Sequence, residues 1–325
     1  MESIGTWYWY TGFAIFVLVA IVVDLLALES KGAKKVSFRE ALTWSIVWIA
    51  LSFLFNALLW WYLDGKFGRE LANVKAAEFF TGYLIEKSLA VDNIFVFLML
   101  FTFFGVQPQY QRRVLILGVI LAIMLRAIMI LIGAWLIAKF HWILYVFGAI
   151  LLITGVKMLL MAEAEPDMDK NPILRFIRRH LSVTNEYHGE KFSIVRDGKR
   201  WFTPLFVVMV MIGITDVIFA VDSIPAIFAI TLDPFIVLTS NVFAILGLRA
   251  MYFLLADLAD RFHLLKYGLA FILVFIGIKM LLIDVYKIPI GFALSVVGIV
   301  LAISVLGSLW VTRPAEKATR KPGSD

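Results

Sequence analysis

Four carboxylates in this chain sit where carboxylates are hardest to keep. Residues 85–93 read Ile-Glu-Lys-Ser-Leu-Ala-Val-Asp-Asn, and residues 215–223 read Thr-Asp-Val-Ile-Phe-Ala-Val-Asp-Ser. Laid over each other, Glu86 meets Asp216 and Asp92 meets Asp222, at one spacing, with Ala-Val-Asp identical and a small polar residue, Asn93 or Ser223, next. Each copy lies inside a long apolar run. A charged side chain at that depth is costly in a bilayer and is therefore a functional hypothesis by default. The donors on offer are carboxylate, amide and hydroxyl oxygens, a set that suits Mn²⁺, Mg²⁺ or Ca²⁺ rather than copper or zinc. The chain has no cysteine, which excludes disulfides and thiolate ligands, and its four histidines leave little for a zinc site.

Spacing limits how these groups can act. Six residues turn a helix by about 600°, so Glu86 and Asp92 point about 120° apart and one straight helix cannot wrap both around an ion. Ser88 and Asp92, four apart, share a face. Two antiparallel helices crossing at the midplane are expected to bring Asp92 and Asp222 together. Pro225, three residues after Asp222, predicts a kink or break there, with a freed carbonyl as a further oxygen ligand. The first copy has Phe95 in that place.

Candidate ligands are thus Glu86, Asp92, Asp216 and Asp222, with Ser88, Asn93 and Ser223 in support. Lys87, Arg126 and Arg249 are candidate charge partners. Two readings stay open. The acids are all neutralised by these cations and only hold the bundle, or the arginines orient some acids while the rest bind cation or proton. Lys157 and Lys279 are expected to snorkel. Asp24 and Glu78 read as interfacial acids, and Asn56 and Asn241 as interhelical hydrogen-bonders.

The elements that must position these groups follow from composition. Of 325 residues, 62% are hydrophobic and 17% charged, with mean hydropathy +0.91, so the chain reads as an all-α polytopic membrane protein. Apolar runs long enough to span fall near 8–28, 43–63, 77–105, 112–138, 142–162, 202–231, 235–257, 267–284 and 288–310, about nine spans. The first reads as a retained span rather than a cleaved signal. Lys and Arg concentrate in the odd-numbered loops and the tail, which predicts an N-terminus outside and a C-terminus in the cytoplasm. Trp60 and Trp61 fit an interfacial belt.

The repeat extends past the acids. Ala122-Ile-Met-Leu-Arg126-Ala is matched by Ala244-Ile-Leu-Gly-Leu-Arg249-Ala, one residue longer; Lys139-Phe-His141 by Arg261-Phe-His263; and Gly155-Val-Lys157-Met-Leu-Leu by Gly277-Ile-Lys279-Met-Leu-Leu. Spans 3–5 therefore recur as spans 6–8. Three is odd, so the second copy is inverted, a transporter design. The chain divides into 1–76 (spans 1 and 2), 77–162 (repeat A), 163–201 (a cytoplasmic loop, read as a solvated linker), 202–284 (repeat B) and 285–325 (span 9 and tail). No Gly-rich phosphate loop, nucleophile–base pair or HExxH pattern supports an enzyme. Expected partners are a divalent cation and the bilayer, with no nucleic acid and no permanently bound cofactor.

At Glu86-Lys-Ser-Leu-Ala-Val-Asp92-Asn, Asp216-Val-Ile-Phe-Ala-Val-Asp222-Ser-Ile-Pro and Asp233-Pro-Phe-Ile-Val-Leu-Thr-Ser-Asn241, the chain resembles the TerC family, especially its Alx-type branch, over nearly its whole length. That resemblance implies a bacterial inner-membrane protein related to the LysE-type exporters, linked to manganese export, alkaline response and, by name, tellurite resistance. It also implies that Glu86, Asp92, Asp216 and Asp222 line the ion site. The function expected is export of a divalent cation, Mn²⁺ first, by exchange with protons. The alternative is a non-transporting stress-response or scaffold protein. Acidic midplane groups would repel a tellurite oxyanion.

Overall fold

In the computed structural model, residues 3–31, 36–160, 172–184, 186–196, 198–255, 264–286 and 288–319 are described. Eleven helices and one hairpin follow in order: α1 (Trp7–Lys31), α2 (Phe38–Phe67), α3 (Arg69–Phe103), α4 (Pro108–Lys139), α5 (Ile143–Leu160), α6 (Pro172–His180), β1 (Ser193–Arg196), β2 (Lys199–Phe202), α7 (Pro204–Phe228), α8 (Pro234–Leu246), α9 (Leu248–Leu255), α10 (Leu265–Leu281) and α11 (Ile290–Thr319). The described parts of the nine apolar runs fall mainly on one helix each or, for 235–255, on the α8–α9 pair. Among the described residues, five helices are long and apolar enough to cross a membrane (α2, α4, α5, α7 and the first part of α11), and six with α8 and α9 taken as one span. The fold is that of a helical, multi-pass membrane protein. α3 fails that test because it carries the charges of the first motif, and α10, at 17 residues, is too short for it.

The starts and stops have local causes. Pro108, Pro204 and Pro234 open α4, α7 and α8 at positions where the missing N–H costs nothing. Asp233 also caps α8, its carboxylate accepting the Phe235 N–H at 3.0 Å. The extra residue in the second repeat is decisive. First-copy α4 runs unbroken through Arg126, whereas the longer copy breaks at Gly247 and bends by 40° between α8 and α9. Lys87 Nζ, from the first copy, donates to the Ala244 carbonyl at 3.1 Å beside that break. It lies over Gly247 so closely that a Cβ there would come within 2.5 Å of Nζ. The break expected at Pro225 is not found. α7 continues through Pro225 and ends at Phe228, so the proline falls in its last turn, where lost hydrogen bonds are few.

Contacts set the helix directions. Gly82 approaches Ile227 on α7 and Asn93 reaches Asp216, so α3 and α7 run antiparallel. α5 and α10 also run antiparallel and nearly touch backbone to backbone. A Cβ on Gly277 would meet Leu152 N at 2.8 Å and Gly148 O at 2.9 Å, and one on Gly155 would meet Ala270 O at 2.8 Å. In the sequence repeat Gly155 corresponds to Gly277 and Gly148 to Ala270, so these two contacts are one contact seen from both sides. Elsewhere rings fill the core: Phe55 lies 5.3 Å from Phe79 and 5.0 Å from Phe243, joining α2, α3 and α8.

Segment 172–202 is a folded module rather than a solvated linker. Leu174 and Ile177 of α6 are buried, and β1 pairs antiparallel with β2. Arg113 at the start of α4 donates to Glu190 at 2.8 Å, and Tyr187 donates its hydroxyl proton to the carbonyl of Phe104 at the end of α3. Between this module and the adjoining ends of α3 and α7 lies a cavity of about 460 Å³, lined in part by Phe104, Thr184, Tyr187 and Val207.

Candidate functional site

The antiparallel register of α3 and α7 decides which motif residues meet. With Gly82 against Ile227 and Asn93 against Asp216, Glu86 comes level with Ser223. Each acid therefore faces the small polar residue of the other copy. Asp222 comes level with Lys87, and the two acids that share a partner are Glu86 and Asp216.

What joins those two is Arg126, on α4 and 1% exposed. Its Nη2 and Nε donate to the two oxygens of Asp216 at 2.8 and 3.0 Å, a bidentate fork, and Nη1 donates to Glu86 Oε1. Nη1 also reaches Ser223 Oγ at 3.2 Å and Asn241 Oδ1 at 3.3 Å. Asn241 on α8 closes the ring by donating Nδ2 to Glu86 Oε2 at 3.2 Å. Asn93 Nδ2 lies 3.5 Å from Asp216 Oδ1, while its own Oδ1 is buried without a partner among the described residues. Glu86, Asn93, Asp216, Ser223 and Asn241 are all buried. With both acids ionised and one guanidinium between them, the layer carries one net negative charge. Arg126 is permanently charged, so it neutralises one carboxylate and leaves the other to be met by neutral donors.

The remaining predicted residues stand elsewhere. Half-buried Asp222 accepts the Thr154 hydroxyl of α5 at 2.9 Å and feels the charge of Lys157. Asp92 lies on α3, but its side chain is outside the described residues, as are the side chain of Asp24 and the Arg261-Phe-His263 match. Ser88 turns back to its own helix, bonding the Leu84 carbonyl at 2.7 Å. Lys87, expected as a partner of the acids, has its hydrogen bond on the Ala244 carbonyl instead. Arg249 is buried on α9, just past the break. Among the described residues no three His, Cys, Asp or Glu side chains stand close enough together to hold a metal ion.

Asn241 is the interhelical hydrogen-bonder expected, and its partners are Glu86 and Arg126. Two residues, Glu78 and Lys279, stand differently from their sequence expectation. Glu78 was read as an interfacial acid and Lys279 as snorkelling, yet both are buried. Glu78 pairs with Lys75 at 2.9 Å and accepts from Thr231 at 2.6 Å, and it acts electrostatically on Lys279. Asp233, 3.7 Å from Lys75, accepts from Ser3 and from the Ile4 N–H. This network ties the start of the chain to the α7–α8 turn. The only advance signal for it was the run Thr231-Leu-Asp233-Pro, a helix-capping pattern.

The family model for the integral membrane protein TerC family matches residues 71–316. A Salmonella typhi protein carrying the name "Putative membrane-bound redox modulator Alx" is 55% identical over 320 residues, covering 98% of this chain and 99% of that protein. Its namesake in Escherichia coli K12 is 54% identical over 317 residues, 98% and 99% of the two chains. An uncharacterised membrane protein of Myxococcus xanthus, STKORF319, is 45% identical over 313 residues, 96% and 95% of the two chains. No solved structure matches. A family match over most of the chain, with relatives of this identity aligned end to end, makes this protein a multi-pass bacterial membrane protein of the TerC family.

Proposed function

We propose that the protein exports a divalent cation, Mn²⁺ in the first place, from the cytoplasm across the bacterial inner membrane in exchange for protons. The observation that carries this reading is the layer between α3 and α7. Acids at equivalent positions of the two sequence repeats meet there on Arg126, with carboxylate, amide and hydroxyl oxygens around them and, with both acids ionised, one net negative charge. Asn93 approaches that layer through Nδ2, and its Oδ1 is buried with no partner among the described residues. Buried polar atoms are nearly always satisfied, so an orphan acceptor in an acidic, oxygen-lined layer is a place for a ligand. Glu86 and Asp216 supply the central carboxylates, and Asp92 and Asp222 supply further steps along the path. Asn93 and Ser223 add neutral oxygen, and Arg126, Arg249 and Lys87 set the charge balance.

The finer architecture belongs to the same proposal: nine spans, N-terminus outside, C-terminus and segment 163–201 cytoplasmic, and spans 3–5 repeated upside down as 6–8. Its support is that α3 opposes α7 and α5 opposes α10, with the reciprocal Gly148–Gly277 and Gly155–Ala270 contacts expected of a two-fold relation. Kinship with LysE-type exporters is part of this reading and not of the family match. The redox role in the relatives' name cannot run through thiols here, because the chain has no cysteine.

One observation favours a second reading. Arg126 bonds both Glu86 and Asp216, which is what a scaffold with purely structural charges would also do. Efflux of Mn²⁺, Ca²⁺, Mg²⁺ and Zn²⁺ from vesicles separates the two, measured with and without an imposed pH gradient at clamped membrane potential. Cation-binding carboxylates must first shed their protons, so exchange predicts Mn²⁺ efflux that follows the gradient. Efflux indifferent to the gradient sinks the proton coupling, and no efflux of any ion leaves the scaffold reading.

A further inference from the structure

We propose that Arg126 is a tethered counter-cation. It occupies the acid layer when no cargo is bound, and a divalent ion enters only by displacing its guanidinium. This deepens the proposed function and rests on it. The geometry is specific: all four carboxylate oxygens of the layer are already taken. Glu86 Oε1 accepts from Arg126 Nη1 and Oε2 from Asn241; Asp216 Oδ1 accepts from Nη2 and Oδ2 from Nε. A metal ion coordinated by either acid competes with a fork that already holds one lone pair on each of these oxygens. Burying a divalent ion beside the guanidinium would also turn one net negative charge into one net positive charge in a poorly solvated place.

The surroundings suit an exchange of one cation for another. Ser223 Oγ and Asn241 Oδ1 accept from Arg126 Nη1, so its departure frees two neutral oxygens. Asn93 Oδ1 is free already. Together with Glu86 and Asp216 these groups offer enough hard oxygens for the six-coordinate shells that Mn²⁺ and Mg²⁺ take. Arg126 does not yield by deprotonation, because a guanidinium keeps its charge in proteins. It must move, and only an ion that binds the acids more strongly can make it do so. A monovalent ion brings no more charge than the guanidinium it would replace and forfeits the bidentate hydrogen bonds. A divalent ion brings twice the charge. Arg126 is therefore the residue that sets divalent over monovalent selectivity. It also fixes α4 against α3, α7 and α8 in the cargo-free state.

The test measures Mn²⁺ binding to the purified full chain in nanodiscs, for wild type, Arg126→Lys and Arg126→Gln, each with and without excess Na⁺. If the guanidinium fills the layer nine-tenths of the time, it weakens apparent affinity about tenfold. Arg126→Gln is then expected to bind Mn²⁺ about tenfold or more tighter than wild type, and Na⁺ should compete in the variant but not in wild type. Arg126→Lys keeps the charge, loses the fork and should fall between the two, which keeps the test open if the glutamine variant fails to fold. Equal or weaker Mn²⁺ binding in the folded variants, with binding intact in wild type, overturns the tether and leaves the proposed function standing. Mn²⁺ binding in none of the three proteins overturns both.

Discussion

The contact between α5 and α10 gives a prediction whose sign and size follow from distances. A Cβ on Gly277 would stand 2.8 Å from Leu152 N, 2.9 Å from Gly148 O and 3.2 Å from Leu152 Cα. These are backbone atoms of a packed helix, so no side chain can turn away. Ordinary contact begins near 3.4 Å, so Gly277→Ala must part the helices by about 0.6 Å. Overpacking of this kind costs about 1–3 kcal/mol. Alanine returns up to about 1 kcal/mol in helix propensity. The expected net loss is on the order of 1–2 kcal/mol. Gly298→Ala on α11 is the control, because nothing lies within 4 Å of its Cβ. It keeps the propensity gain alone and should be neutral or slightly stabilising. Gly155→Ala meets Ala270 O and Val274 N at 2.8 and 2.9 Å and should lose about as much as Gly277→Ala. The double variant should lose less than the sum, since one parting of the helices admits both methyls. Thermal unfolding of the purified protein in nanodiscs reads all four. If Gly277→Ala is no less stable than Gly298→Ala, the close α5–α10 packing is wrong. If Gly155→Ala and Gly277→Ala differ widely, the reciprocal contact is wrong.

Asp222→Asn keeps an oxygen for the Thr154 hydroxyl, so stability should change by less than about 1 kcal/mol, while Mn²⁺ efflux from vesicles should be lost; wild-type efflux would remove Asp222 from the path. Gly247→Ala puts a methyl 2.5 Å from Lys87 Nζ and should push the ammonium off the Ala244 carbonyl, at about 1.5–3 kcal/mol for a charged hydrogen bond in thermal unfolding. Adding Lys87→Met to that variant should cost little more, because the bond is already gone, and fully additive losses would refute the link. Tyr187→Phe deletes the bond to the Phe104 carbonyl, worth about 1 kcal/mol, so amide exchange over residues 186–191 should quicken about fivefold. Unchanged exchange there would mean the module is held by its apolar contacts alone.

Much of this protein was legible in the chain, and for identifiable reasons. A carboxylate in an apolar run stands out whatever the fold, so Glu86, Asp92, Asp216 and Asp222 were found without one. The cost of burying charge made Arg126 a partner before its contacts were known. The repeat was visible because its residues match, but the one extra residue beside Gly247 gave no expectation of a break, and 235–257 read as a single span.

Only the tertiary structure decided which of these groups touch. Helical periodicity fixes where a side chain points on its own helix but not the register of a neighbouring helix. The register of α3 on α7 put Glu86 level with Ser223 and Asn93 with Asp216, and so drew Glu86 and Asp216 onto one arginine. The same limit hid the partners of Asn241 and Glu78 and the docking of segment 172–202. A polar residue reads alike in sequence whether it faces lipid headgroups or a buried partner, and contacts between distant segments settle which.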